Sequence, residues 1–371
     1  MKSSLAQRIT ALCFAFGLIS MFLITLVGQG IALAKGEETE LGDVAAGHEI
    51  EKDRHKSEEE KSTVNPLAEM MDGFSSSIPG KKEGAAFATA VTKAVSGNTY
   101  IESSQVMLGK ENWLFYKRAD DGDPVQDYQG DKRYSQEEMD AAAQNLSAHQ
   151  DYFKEHNAQF AAVYIPNKAN VYPEMMPDTV VRSNEYSRGQ EMMDYIKKNT
   201  SVNLVNTTDV LMETRRDKQV YYSTDTHFNE IGAFVCAMDI MKAFGLPTQS
   251  LSSIKFNDDN KTYAGDLAIL CSMTDVFAQD TEYRLDPSSV DPSVKNGKSI
   301  LVIGDSFGER LSGIFSEYFG RSEFVNVWSF TPELLDEMKP DYVIWETVER
   351  YADRYSWQNL VFPELNKQPE S

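Results

Sequence analysis

Ile300-Leu301-Val302-Ile303-Gly304-Asp305-Ser306-Phe307 is the stretch that decides the fold. Four aliphatic residues in a row, running into glycine, match a strand buried on both faces, as in a parallel sheet covered by helices. The amphipathic residues that follow predict a helix over 307–319. In such sheets the functional crevice lies beyond the carboxyl ends of the strands. Ser306 therefore stands at the crevice, where the helix N-terminus favours negative charge and leaves a backbone N–H to serve an oxyanion. Gly304 would allow the turn to be tight. A second reading is that Asp305 or Ser306 only caps the helix.

Outward from this strand the chain alternates strands and helices. Met107–Tyr116 reads as two short strands joined by a polar turn. Ser135 and Glu138 form a capping box that opens a helix reaching about His156. Strands are predicted at 160–165, 202–205, 298–303, 324–328 and 342–345, and helices at 187–198 and 229–244, the latter capped by Asn229. The pattern implies an α/β layered domain with a mainly parallel sheet.

A serine hydroxyl needs a base, and histidine is the usual one near neutral pH. The chain has five histidines. His48 and His55 lie in a charged stretch. His149 and His156 share one face of the capped helix and read as solvated. His227 remains, in a loop-like segment just before Asn229. Asp225 lies two residues earlier, so in extended backbone both side chains point the same way. The carboxylate can then hold the imidazole tautomer. Asp225 and His227 could instead donate two metal ligands, but no third ligand stands at recognisable spacing. Asn167 and Lys168, after a strand end, are candidates to line the site. Arg310, one helical turn beyond Ser306, is a candidate to bind an anionic ligand, with a surface role as the alternative. Glu346 and Arg350 have the spacing of a helical ion pair.

The formal charge of the 371-residue chain is −21, which argues against a nucleic-acid binder, since that class needs a basic surface. An uncharged run, Ile9–Ala34, follows Lys2 and Arg8. It is longer than a signal-peptide core and long enough to span a bilayer. Ala32-Leu33-Ala34 resembles a signal-peptidase site, so cleavage and secretion is the alternative to an anchor. The charge asymmetry puts the body outside the cytoplasm. The expected organisation is an anchor or signal segment over 1–35, a charged disordered linker over 36–66, and a catalytic domain over 67–371. Cys236 and Cys271 could pair or remain free thiols. Cys13 lies in the apolar run.

Asp225-Thr226-His227-Phe228 preceding Gly304-Asp305-Ser306-Phe307 resembles the SGNH-hydrolase-like alginate O-acetyltransferases of the AlgJ/AlgX type. Ordinary SGNH hydrolases place the serine early and the histidine late. Gly109–Tyr116, Ile165–Lys168 with Val171–Pro173, and Pro340–Glu346 with Glu349–Arg350 resemble further segments of that group. Phe228 departs from it, since tryptophan is usual there, and no appended carbohydrate-binding module follows Arg350. The resemblance implies a flavodoxin-like three-layer SGNH domain and a transient acetyl ester on Ser306, with no cofactor. It also implies an exported or cell-wall polysaccharide as acceptor and a membrane-bound O-acyltransferase as acetyl supplier. A carbohydrate esterase with the same triad, or a catalytically silent polysaccharide-assembly protein, are the competing expectations.

Overall fold

Runs of aliphatic residues that alternate between two apolar environments build the central sheet. The computed structural model describes residues 101, 103–362 and 366. The apolar N-terminal segment, the charged linker and the small-residue stretch Met70–Val95 lie outside them. Among the described residues, no helix is long and apolar enough to cross a membrane.

The described part opens with a β-hairpin, β1 (Val106–Leu108) and β2 (Leu114–Tyr116), followed by α1 (Pro124–Gln129) and α2 (Gln136–Glu155). Next come β3 (Gln159–Ile165), α3 (Lys168–Val171), α4 (Arg188–Asn199), β4 (Leu204–Asn206), α5 (Thr208–Thr214) and α6 (Glu230–Ala243). Then β5 (Phe256–Tyr263) and β6 (Asp280–Leu285) flank α7 (Asp266–Leu270). The last part is β7 (Ser299–Gly304), α8 (Ser306–Phe315), β8 (Arg321–Asn326), α9 (Glu333–Met338), β9 (Tyr342–Val348) and α10 (Arg354–Trp357).

Five strands form one parallel sheet in the order β4-β3-β9-β7-β8. The last strand in sequence thus lies at the centre, and all of β9 is buried. Successive side chains alternate between faces. Ile300 and Val302 join one core with α6 and α8, including Phe307, Leu311 and Phe315. Leu301 and Ile303 join the opposite core with α2 and α4, including Leu146, Phe153 and Ile196. This is the three-layer α/β architecture expected.

Several local expectations shift. The capping box is present: Ser135 Oγ accepts from Glu138 N–H (3.2 Å), and Glu138 accepts from Ser135 N–H (2.7 Å). The helix after Ser306 ends at Phe315, although Tyr318 and Phe319 stay buried in the turn beyond it. β8 begins earlier than 324, because an edge strand keeps polar residues such as Arg321 and Glu323 on its open face. β9 runs on to Val348, which places Glu346 on a strand. Glu346 and Arg350 therefore form no helical ion pair. His149 is fully buried, not solvated: Nδ1–H donates to Asn145 O (2.7 Å), and Nε2 accepts from Leu360 N–H (3.0 Å). Burial pushes its pKa down to about 4. Cys236 and Cys271 are free thiols, buried in separate clusters. The antiparallel pair β5/β6 was not anticipated; its sequences are too polar to read as strands.

Candidate active site

The serine turn is built from β7 outward. Asp305 caps α8, its carboxylate accepting from Phe307 N–H at 2.9 Å. Asp305 N–H in turn donates to Glu346 on β9, at 3.2 Å. Those two bonds take the N–H groups on either side of Ser306. Ser306 is the first residue of the helix, so its own N–H has no intrahelical acceptor. Its side chain faces solvent at the carboxyl edge of the sheet. Gly304 is required for space rather than for an unusual backbone: a Cβ there would lie 2.5 Å from Glu346 Oε2. Glu346 is itself 1% exposed. Burial, then the charge of Asp305, raises its pKa well above its ordinary value, which favours the protonated form under the turn.

The histidine sits on the segment between Tyr221 and Phe228, which bridge each other antiparallel. His227 Nε2 lies 2.6 Å from Ser306 Oγ. His227 Nδ1 lies 2.6 Å from Asp225 Oδ1, and His227 N–H donates to that same oxygen at 2.9 Å. The other carboxylate oxygen accepts from Tyr263 O–H (2.7 Å) and Asp266 N–H (3.1 Å). Burial works to raise the Asp225 pKa. The hydrogen bond and charge of His227, with the Tyr263 hydroxyl, outweigh it and hold the carboxyl below its usual range. The imidazole also packs on Phe307, ring centroids 4.8 Å apart. Burial grades outward through the three groups, from Asp225 through His227 to the exposed Ser306.

The other candidates are placed as follows. Lys168 is buried, and its ammonium donates to three backbone carbonyls of this segment: Tyr222 (3.2 Å), Ser223 (3.1 Å) and Asp225 (2.6 Å). Burial pulls its pKa down to about 8. Asn167 is also buried, its N–H donating to Glu349 (2.7 Å) and its amide to Asp127 (3.2 Å). Both residues expected to line the site thus spend their polar atoms inside the protein. Arg310 is half-buried on α8, its guanidinium 5.6 Å from the Tyr222 ring centroid.

Sequence reading missed several residues of the site. Asp280 on β6 accepts from Ser223 N–H and Thr224 N–H, both at 2.7 Å. Asp266 binds Thr226 through both oxygens and reaches within 3.6 Å of His227 Nδ1. Asp225, His227 and Asp266 therefore form the three-residue cluster that spacing alone did not suggest. All four carboxylate oxygens of the two acids already accept protein donors. Tyr263 and Asp266 lie about forty residues beyond Asp225, on the unread β5 and at the start of α7, so no local pattern could have found them.

A family model described as the SGNH hydrolase-like domain of acetyltransferase AlgX matches residues 106–349. The chain belongs to this AlgX family. No curated protein matches the chain significantly. Among solved structures it is similar to the O-acetyltransferase domain of Pseudomonas putida AlgJ, with 18% identity, 67% of this chain and 92% of that chain covered, and a TM-score of 0.47. It is also similar to Bacillus cereus PatB1, with 13% identity, 67% and 96% coverage, and a TM-score of 0.48. Pseudomonas aeruginosa AlgX gives 16% identity, 66% and 61% coverage, and a TM-score of 0.45. Two of the segments that carry the resemblance, 109–116 and 165–173, pack together against the segment before the histidine. Trp113 packs on Tyr172 at 4.4 Å, Lys168 lies over Trp113 and Phe115, and Leu114 N–H donates to Ser223 O at 2.8 Å.

Proposed function

We propose that this AlgX-family acetyltransferase moves an acetyl group through Ser306 onto a hydroxyl of an exported or cell-wall polysaccharide. The observation that carries the reading is the continuous hydrogen-bonded line from Asp225 through His227 to Ser306 Oγ, each step 2.6 Å. Such a line lets the imidazole take the hydroxyl proton while the carboxylate stabilises the resulting cation.

In the first half-reaction Ser306 Oγ attacks the acetyl carbonyl of the donor and His227 Nε2 takes its proton. The Ser306 N–H, left over when its neighbours are bonded to Glu346 and Asp305, is the natural donor to the oxyanion. Collapse expels the leaving group, which takes the proton from His227, and an acetyl ester remains on Ser306. In the second half-reaction a sugar hydroxyl gives its proton to His227 and attacks that ester, returning Ser306 to its hydroxyl form. Ser306 is exposed, so water can compete as acceptor and slow hydrolysis accompanies transfer. Metal and cofactor have no step in this scheme.

Location and partner follow the same proposal. The charge asymmetry around Ile9–Ala34 supports a catalytic body outside the cytoplasm, tethered or secreted. The family resemblance supports a membrane-bound O-acyltransferase as acetyl supplier. The test is turnover of an activated acetyl ester with and without added oligosaccharide. Transfer predicts acetylated sugar that depends on Ser306. Acetate release alone, with no sugar ester at any acceptor concentration, would make the protein an esterase.

A further inference from the structure

The chain has four tryptophans, and they divide cleanly. Trp113 and Trp345 are core residues. The other two stack on each other: Trp328 and Trp357 have ring centroids 6.0 Å apart and planes 29° from parallel. Trp357 is fixed by its indole N–H, which donates to Asp353 at 2.9 Å. Arg354, on the same short helix α10, places its guanidinium 5.2 Å from the Trp328 ring. Helix α10 thus braces one side of Trp328, and the indole remains 59% exposed.

The position of that indole matters more than its exposure. Gly304 and Asn326 pair across β7 and β8, and Val327 N–H donates to Gly304 O at 2.9 Å. Ser306 and Trp328 each stand two residues past this pair, at the carboxyl ends of adjacent strands. Adjacent strands lie about 4.8 Å apart, so both residues leave the sheet at the same edge. A line of rings and guanidinium groups also connects His227 to Trp328. His227 packs on Phe307 (4.8 Å), Phe307 on Arg350 (5.8 Å), Arg350 on Tyr351 (4.8 Å), Tyr351 on Arg354 (4.0 Å), and Arg354 on Trp328. Each guanidinium lies within the reach of a cation–π contact. The indole is therefore held in place rather than free to rotate, which lowers the entropy lost on binding.

We infer that Trp328 is an acceptor subsite, on which a pyranose ring of the polysaccharide stacks one or two sugars from the hydroxyl that Ser306 acetylates. A flat, rigid, apolar face beside a polar site suits the C–H face of a pyranose, whose hydroxyls stay in water. This inference rests on the proposed acetyl transfer to sugar, but its test does not need turnover.

The test is equilibrium binding in the Ser306→Ala background, by calorimetry, of three tetrasaccharides: cellotetraose, chitotetraose and tetramannuronate. We expect saturable binding of at least one, weakened about ten-fold by Trp328→Ala and largely restored in Trp328→Tyr, which keeps a stacking ring. Because the indole is mostly exposed, both variants should unfold at the parent temperature. Should the alanine variant prove less stable, the tyrosine variant still decides, since a ring is what the subsite requires. Equal affinity in parent and alanine variant, no recovery with tyrosine, or no binding of any of the three overturns the subsite. Trp328-dependent binding without any acetyl transfer by the Ser306 protein would keep the subsite and remove the transferase reading.

Discussion

Lys168→Met isolates what holds the catalytic segment in place. Methionine roughly matches the volume of the lysine stem and removes the ammonium. The three carbonyls it serves then differ. Ser223 O keeps its bond from Leu114 N–H at 2.8 Å. Tyr222 O and Asp225 O lose the donors they have in Lys168, at 3.2 and 2.6 Å, inside a buried segment. A stripped buried acceptor costs about 1–3 kcal/mol, so the pair costs about 2–6 kcal/mol. Removing a charge that burial disfavours offsets part of this, as the lowered lysine pKa indicates, and puts the net in the lower half. Domains are stable by about 5–15 kcal/mol, so the variant folds, but with a looser histidine segment. A displacement of about 1 Å at the reacting groups can cost about a hundred-fold in rate. Urea denaturation should show the stability loss, and turnover of an acetyl ester well below the urea midpoint should show a kcat loss larger than any KM change. A stability loss under about 1 kcal/mol with kcat within about two-fold of wild type would refute the positioning role.

His149 gives a pH signature. Its folded pKa is about 4 against 6.5 unfolded, so below 6.5 the unfolded chain binds a proton that the fold excludes. Its contribution is complete above 6.5 and is lost as pH falls towards 4, up to about 3 kcal/mol. Denaturant midpoints of wild type and His149→Gln should therefore converge with acidification; parallel curves would contradict a neutral buried imidazole. Tyr263→Phe removes one donor to Asp225 and should lower kcat about three- to ten-fold with KM unchanged, read by steady-state kinetics. Glu346→Ala should lower kcat more than KM, because the part-buried Asp305 N–H loses its acceptor beside Ser306. Glu346→Gln should retain most of the activity, because the raised pKa favours the protonated acid that glutamine mimics; equal losses in both variants would argue against that.

The legible parts of this fold are those where burial is continuous along the chain. β7 is aliphatic because both faces are covered, and α6 is apolar nearly throughout because ten of its residues are buried. β9 was read only to Trp345, because Glu346 and Glu349 look like surface residues until their buried partners are known. Lys168 gave no sign of burial, since backbone carbonyls accept its charge and leave no partner residue to notice. The parity of a helix places His149 and His156 on one face, but not which turn of that face is covered; the segment at Leu360 covers His149 and leaves His156 exposed. His227 and Ser306 were legible as a pair because their neighbours signal local geometry. The hydroxyl and acids around them, Tyr263, Asp266 and Asp280, arrive through β5, the short helix α7 and β6, whose polar sequences carry no periodic signal.

The central claim is that Ser306 carries the acetyl group. Purified protein is mixed with an activated acetyl ester, quenched in acid within the first turnover, digested and sequenced by mass spectrometry. The account predicts the mass of one acetyl group on the peptide containing Gly304-Asp305-Ser306, localised to Ser306, absent from Ser306→Ala, accumulating without sugar and discharged when acceptor is added. Acetylation elsewhere, or full turnover by Ser306→Ala, would contradict it.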